Sequence, residues 1–232
     1  MELSWTPKAE TLDRILRTLR EVNNPALVQQ VHAAVAEMSA DAEWPLYLSY
    51  ILSVCAHEQT AALTFAGVLL KQYVRAHWRP SSPGSTSTST SGNTPMLDAA
   101  VKKAVLASLA SPVPEVRRSG ANVAATIVER TGFAGWPELL PLLSGSLTTA
   151  PAYVVDGVLY ALTLIFEDQH RALDDPAAGA PLRYLAPQLI AVVAGNPAGA
   201  GANDALPCTN GTNGSGSSSC REQAQVYALE CL

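Results

Sequence analysis

Charge is scarce in this chain. Only 15% of its residues are Asp, Glu, Lys or Arg, and the 20 acids outnumber the 15 bases to leave a formal charge of −5. Phosphate backbones are bound by clustered Lys and Arg, so a nucleic-acid partner is not expected, and a basic protein partner suits the overall balance better. Long uncharged runs are missing too. The most apolar stretch, "YVVDGVLYALTLIF" from Tyr153 to Phe166, is interrupted by Asp156 and falls short of the ~20 residues a spanning helix needs, so membrane insertion is not expected. The opening segment "AETLDRILRTLREV" mixes acids and bases among its apolar residues, which excludes a secretory signal there. Cysteine is sparse: Cys55, Cys208, Cys220 and Cys231 form no Cys-x-x-Cys pair, which points to a reducing cytosolic or nuclear compartment.

What the chain has is helical periodicity. "WPLYLSYILSVC" (Trp44–Cys55) and "WPELLPLLSGSL" (Trp136–Leu147) share a Trp-Pro start followed by apolar residues at helical spacing. Proline is tolerated at the first helical position, where its missing N–H had no partner to lose, so each Trp-Pro reads as a helix start. Thr6-Pro7 and Asn24-Pro25 announce two more helices, one carrying Leu12, Ile15, Leu16 and Leu19, the other Val28, Val31, Val35 and Met38. "TAALTFAGVLLKQYVRAHW" is apolar on most sides and must pack against several neighbours. A third pair comes from "MLDAAVKKAVLASLA" and "PEVRRSGANVAATIVER", whose Gly120 and alanines allow close backbone approach. The fourth pair runs from Trp136 to Phe166. A fifth begins at "PLRYLAPQLIAVVAG" and ends with "REQAQVYALECL", where Val226 and Leu229 await a covering neighbour and the second helix reads as cut off.

Two segments interrupt this order, a Ser/Thr-rich insertion at 81–95 and a Gly/Ser/Asn-rich one at 195–219, neither with the apolar content to pack. The Trp-Pro signals stand about 92 positions apart; without the first insertion this leaves two spans of roughly 38 to 39 residues, near a HEAT-type period. No strand pattern appears. The expected fold is all-α: an α-solenoid of about five HEAT-type helix hairpins over residues 1–232, forming a superhelical arc with the last hairpin truncated.

Catalytic chemistry is not expected. Cys55 and His57 are two apart, a spacing that points them to different helix faces, and no Gly-rich elbow or further acid follows. His32, His57, His77 and His170 fall in different hairpins without ligand spacing, so neither a metal nor a cofactor is expected. The glycines of "GNPAGAGAND" lack the preceding strand and following Gly-Lys-Ser/Thr of a phosphate loop, and the "NGT" and "NGS" acceptors at Asn210 and Asn213 would matter only in a secreted protein. Arg117 in "PEVRR" fits a structural role, paired with an acid of the adjacent hairpin, better than a partner contact. Lys71 and Arg75 are like charges one turn apart, a mildly unfavourable arrangement that an acidic partner would relieve. Glu167 and Asp168 approach a helix C-terminus, where the dipole disfavours negative charge; solvation or a binding role explains them equally.

At these segments the chain resembles the transportin-type nuclear import receptors of the importin-beta (karyopherin-beta) superfamily. "GVLLKQYVRAH" within "LTFAGVLLKQYVRAHW" is similar to that family's Gly-(Leu/Val)-(Leu/Ile)-Leu-Lys-Asn-x-Val-(Lys/Arg)-x-His, with Gln72 where Asn is usual. "SPVPEVRRSGANVAATI" resembles its third repeat, and "GWPELLPLL" followed by "VLYALTLIFEDQ" its fourth. The resemblance implies the amino-terminal arch of a receptor that binds Ran-GTP on its concave face, with Lys71, Arg75, Glu167 and Asp168 as contacts by motif position. It further implies nuclear-localisation-signal cargo and nucleoporins as partners of a full-length chain, shuttling between cytoplasm and nucleus, presence at nuclear envelope pores, and no enzymatic step. A HEAT scaffold that assembles a complex unrelated to transport is the alternative, separated from the receptor by preference for one nucleotide state of Ran.

Overall fold

The computed structural model describes residues 5–55, 58–78, 95–173, 180–194, 226–229 and 231. Nine α-helices account for most of them: α1 (Ala9–Arg20), α2 (Val28–Met38), α3 (Trp44–Val54), α4 (Thr60–His77), α5 (Pro95–Leu109), α6 (Pro114–Thr131), α7 (Leu139–Thr149), α8 (Ala152–Leu173) and α9 (Leu182–Val193). Among the described residues there is no strand, so the all-α expectation holds. The insertion at 195–219 lies outside the described residues, as does that at 81–95 except for Pro95, the first residue of α5. The chain divides into two compact units, Met1–Val123 and Ala124–Leu232, with the boundary inside α6.

In the first unit α1 packs on α2, and α3 on α4, the helix pairs the periodicity implies. α3 also lies against α5, so the first helices of successive pairs stack on one another. Their buried faces carry Ile15, Leu16 and Leu19 from α1, Leu48, Ile51 and Leu52 from α3, Leu63, Ala66 and Leu70 from α4, and Val101 and Val105 from α5. Burying a Leu, Ile or Val side chain contributes about 1.5–3 kcal/mol against the entropy of ordering it, and a single pair has only one face to bury, so stacking is what makes each pair stable. Polar links tie the pairs further: Arg20 grips Glu58 with two hydrogen bonds of 2.9 and 2.8 Å, and Arg14 reaches Glu37 at 3.3 Å.

The second helices stack as well. Gly67 of α4 faces Ser119 of α6 so closely that a Cβ on Gly67 would lie 2.6 Å from the Ser119 Cβ. One turn on, Lys71 reaches Asn122. Because 67 faces 119 and 71 faces 122, the two helices run parallel, as second helices of successive pairs must. Gly120 fulfils its expected role of close approach: a Cβ there would overlap the Ser108 hydroxyl of α5.

In the second unit α7 packs on α8 and on α9, repeating the same order of pair partner and stacked neighbour. Ser144 of α7 is 2.8 Å from Gln188 Oε1 of α9. Pro187 sits inside α9, where it removes one backbone donor yet leaves the helix continuous. Val226 and Leu229, the apolar residues expected to lack cover, are 48% and 59% exposed.

The proline signals mark three helices slightly early. α1, α2 and α7 begin two or three residues beyond Pro7, Pro25 and Pro137, whereas Pro45, like Pro95 and Pro114, lies in the first turn of its helix. α8 runs to Leu173 but is kinked at Gln169, where the backbone is non-helical (φ −120°, ψ 23°), directly after the end expected near Asp168.

Candidate functional site

α4 is helical because its interior is built of good helix formers and closes at Trp78, which turns the backbone extended and is itself buried. Its apolar side faces its neighbours, which leaves Val68, Gln72 and Arg75 exposed and Lys71 half-buried. Lys71 Nζ donates to Asn122 Oδ1 at 2.9 Å, and Asn122 Nδ2 in turn donates to the Arg118 carbonyl at 2.9 Å. Arg118 is exposed on α6, one turn before Asn122. Further along α4, Tyr73 stacks on His77 at 4.7 Å between ring centroids, and burial pushes the Tyr73 phenol up from its ordinary pKa.

The structure thus places Lys71 and Arg75 one turn apart on one helix of the first unit. Glu167 and Asp168 belong to the second unit, both exposed on α8 immediately before the break at Gln169. The helical backbone is interrupted at Gln169, so the two acids close the first helical stretch of α8, near a helix C-terminus as expected, and a short second stretch carrying Arg171 follows.

The other candidates resolve into packing. Cys55 is buried, and loss of solvation followed by the nearby Glu58 charge raises its thiol pKa, the opposite of what a nucleophile needs. His57 lies outside the described residues. Arg117 is 2% exposed and its Nη1 donates to the carbonyls of Ser111 and Pro112 at 3.0 and 3.1 Å, which makes it a buried structural residue of its own hairpin. Among the described residues no group of three or more His, Cys, Asp or Glu comes together as metal ligands. No described helix is long and apolar enough to cross a membrane.

Sequence reasoning missed Asn122 and Arg118. A Gly in α4 and a Ser in α6 hint that the two helices approach closely, but the pairing of 71 with 122 spans 51 positions and no local pattern encodes it.

No protein-family model matches the chain. Transportin-1 of Homo sapiens is 24% identical over 192 residues, which is 82% of this chain and 20% of that protein. Transportin of Dictyostelium discoideum is 25% identical over 189 residues, 80% of this chain and 19% of that protein. Importin subunit beta-2 of Schizosaccharomyces pombe is 33% identical over 145 residues, 62% of this chain and 15% of its own length. The chain spans about a fifth of the length of these transportins. Over most of its own length it is therefore similar to transportins and importin-beta-2, nuclear transport receptors of the importin-beta superfamily, as the motifs at Gly67–His77 and Ser111–Ile127 imply.

Proposed function

We propose that this chain acts in nucleocytoplasmic protein transport as the Ran-GTP-binding part of a transportin-like import receptor, a binding protein with no catalytic step. The single observation that carries the reading is the similarity to transportins over 82% of the chain, at positions that include exposed charges on two second helices. Lys71 and Arg75 on α4, with Glu167 and Asp168 on α8, are the proposed contacts. In a complete receptor, GTPase occupancy of these helices would disfavour cargo bound elsewhere, a coupling free energy between two sites. Nuclear-localisation-signal cargo, nucleoporins and the pores of the nuclear envelope belong to that complete receptor. Cytoplasm and nucleus are its compartments.

The test is binding to Ran loaded with GTP or GDP. The reading expects capture of the GTP form in preference to the GDP form, and equal or absent capture of both forms sinks it. The doubly reversed Glu167→Lys, Asp168→Lys protein should bind Ran-GTP more weakly with a flatter salt dependence, because opposite charges across an interface steer association and are screened by salt. Its melting temperature should match the parent's, since both acids are exposed. Parent-like binding at low salt removes the two acids from the site.

A further inference from the structure

We infer that the outer face made by α7 and α9 is a self-docking surface. A second copy of this chain packs on it about a two-fold axis parallel to the helices, so that α7 of each copy lies on α9 of the other. The surface is made by first helices and is separate from α4 and α8, which carry the proposed Ran-GTP contacts.

The face lacks the charges that keep the outer side of a helix in water. α7 and α9 are joined by the bond from the Ser144 hydroxyl to Gln188 Oε1 at 2.8 Å. Leu139, Leu143 and Leu147 of α7 and Leu185, Leu189 and Val192 of α9 are buried. The opposite side of α7 exposes Pro141, Leu142 and Gly145, and that of α9 exposes Tyr184, Pro187 and Ile190, with Leu142 and Ile190 48% and 56% accessible. α7 contains no charged residue, and α9 contains one, Arg183 at its start. The first helix of the first pair is the contrast: α1 exposes Glu10, Asp13, Arg14, Arg17 and Arg20. A contiguous apolar patch on two adjacent helices marks an interaction surface, whereas scattered apolar residues do not.

Self-complementarity selects the occupant. An uncharged centre does not repel its own copy, and the two charges at the rim are of opposite sign. Glu138 immediately precedes α7, Arg183 is the second residue of α9, and both are exposed. First helices of successive pairs run the same way, so the Ser144–Gln188 bond sets their levels: Glu138 stands six residues before Ser144 and Arg183 five before Gln188, about 2 Å apart in height. A two-fold axis parallel to the helices exchanges α7 with α9 and leaves heights unchanged. Glu138 of each copy therefore meets Arg183 of the other, and two ion pairs form at the rim. Shape agrees with charge. A Cβ on Gly145 would meet nothing within 4 Å, which leaves a shallow place on α7, and the exposed residue of α9 next to that level is Ile190. Helices of 11 and 12 residues give a face about 18 Å long and about 20 Å across. That footprint lies at the small end of specific interfaces, so the dimer is weak, dissociating on the order of 10–100 μM.

The experiment is sedimentation velocity of the 232-residue chain over two decades of concentration around that value. The parent should pass from monomer to dimer and no further, because a two-fold contact closes on itself. Ile190→Glu should weaken the dimer by about tenfold or more at an unchanged melting temperature, since its carboxylate is stranded between two apolar faces only in the dimer. Should Ile190→Glu fail to fold, Gly145→Glu places the same charge at an exposed position with open space around it. Glu138→Arg and Arg183→Glu should each weaken the dimer by setting like charges together, and the double variant should return it to parental strength. A two-fold axis across the helices would lay α7 on α7 with its ends reversed, and it predicts no such rescue. A parent that stays monomeric throughout overturns the inference, including one that adsorbs instead to phosphatidylcholine vesicles through this face. A dimer indifferent to Ile190→Glu and Gly145→Glu puts the contact elsewhere and overturns it too. Single charge reversals without effect, or a double reversal that fails to restore the dimer, overturn the two-fold arrangement.

Discussion

Trp44-Pro45 and Trp136-Pro137 are the same two residues ahead of similar apolar stripes, and the chain uses them differently. Both tryptophans are 3% exposed, so both anchor their hairpins. Trp44 is the first residue of α3 and Pro45 sits in its first turn, whereas Trp136 is non-helical (φ −148°, ψ 68°) and α7 begins only at Leu139. A residue before proline avoids the helical region, and Trp136 follows that preference while Trp44 does not. The difference comes from the incoming chain. Met38 to Glu43 arrive through a turn closed by Asp41, whose carboxylate accepts the Glu43 N–H at 2.9 Å, and Glu43 is already helical in conformation. After α6 the chain instead reverses at Gly132 (φ 65°) and makes a short 3-10 turn over Phe133–Gly135 before Trp136 is reached. A dipeptide fixes which side chain is buried, and the preceding turn fixes where the helix starts.

This comparison can be broken most forcefully at its shared feature. Trp44→Ala and Trp136→Ala should each lower stability by about 3–5 kcal/mol, the cost of emptying a large buried site, as read by urea denaturation. A loss under 1 kcal/mol for either would show that its burial does not anchor the hairpin. Next in size is the turn itself. Gly132→Ala should cost about 1–3 kcal/mol from its positive-φ, extended-ψ backbone alone (φ 65°, ψ −178°), since a Cβ there meets nothing within 4 Å. Its counterpart ahead of α3, Ala40→Gly, should change stability by no more than about 0.5–1 kcal/mol, through the unfolded chain.

Smaller effects sharpen the difference between the two starts. Asp41→Ala removes the side-chain acceptor that organises the turn before α3 and should cost about 0.5–1 kcal/mol. Glu138→Ala before α7 should be near neutral in the same assay, because Glu138 is exposed and makes no side-chain capping bond. Smallest of all, Pro45→Ala should cost a few tenths of a kcal/mol more than Pro137→Ala, since Pro45 is buried and Pro137 exposed. Equal thermal shifts for the two proline variants would mean that the different placements carry no energetic difference.

The helices were legible because their signal is local. Ile15, Leu16 and Leu19 in α1, or Val158, Leu159, Leu162 and Phe166 in α8, announce a buried face by spacing alone, and all seven are buried. The ends were less legible, since Pro7, Pro25 and Pro137 signal a turn that leads to a helix as readily as the first turn within one. Of the candidate site, the exposure of Arg75, Glu167 and Asp168 follows from their place off the apolar stripe. The half-burial of Lys71 does not, because it depends on how near α6 comes.

By itself the sequence determined an all-α chain of paired helices, which faces they bury, and that Arg75, Glu167 and Asp168 remain at the surface. These are properties of residues within a few turns of one another, and the hydrophobic effect reads them without reference to distant parts of the chain. Only the tertiary structure decided that Lys71 meets a neutral Asn122, that Gly67 and Gly120 lie against serines of neighbouring helices, and that Arg117 turns inward to backbone carbonyls. Each of these depends on how closely chain segments approach, and that is set by the fit of whole side-chain surfaces rather than by hydrophobic spacing along one helix.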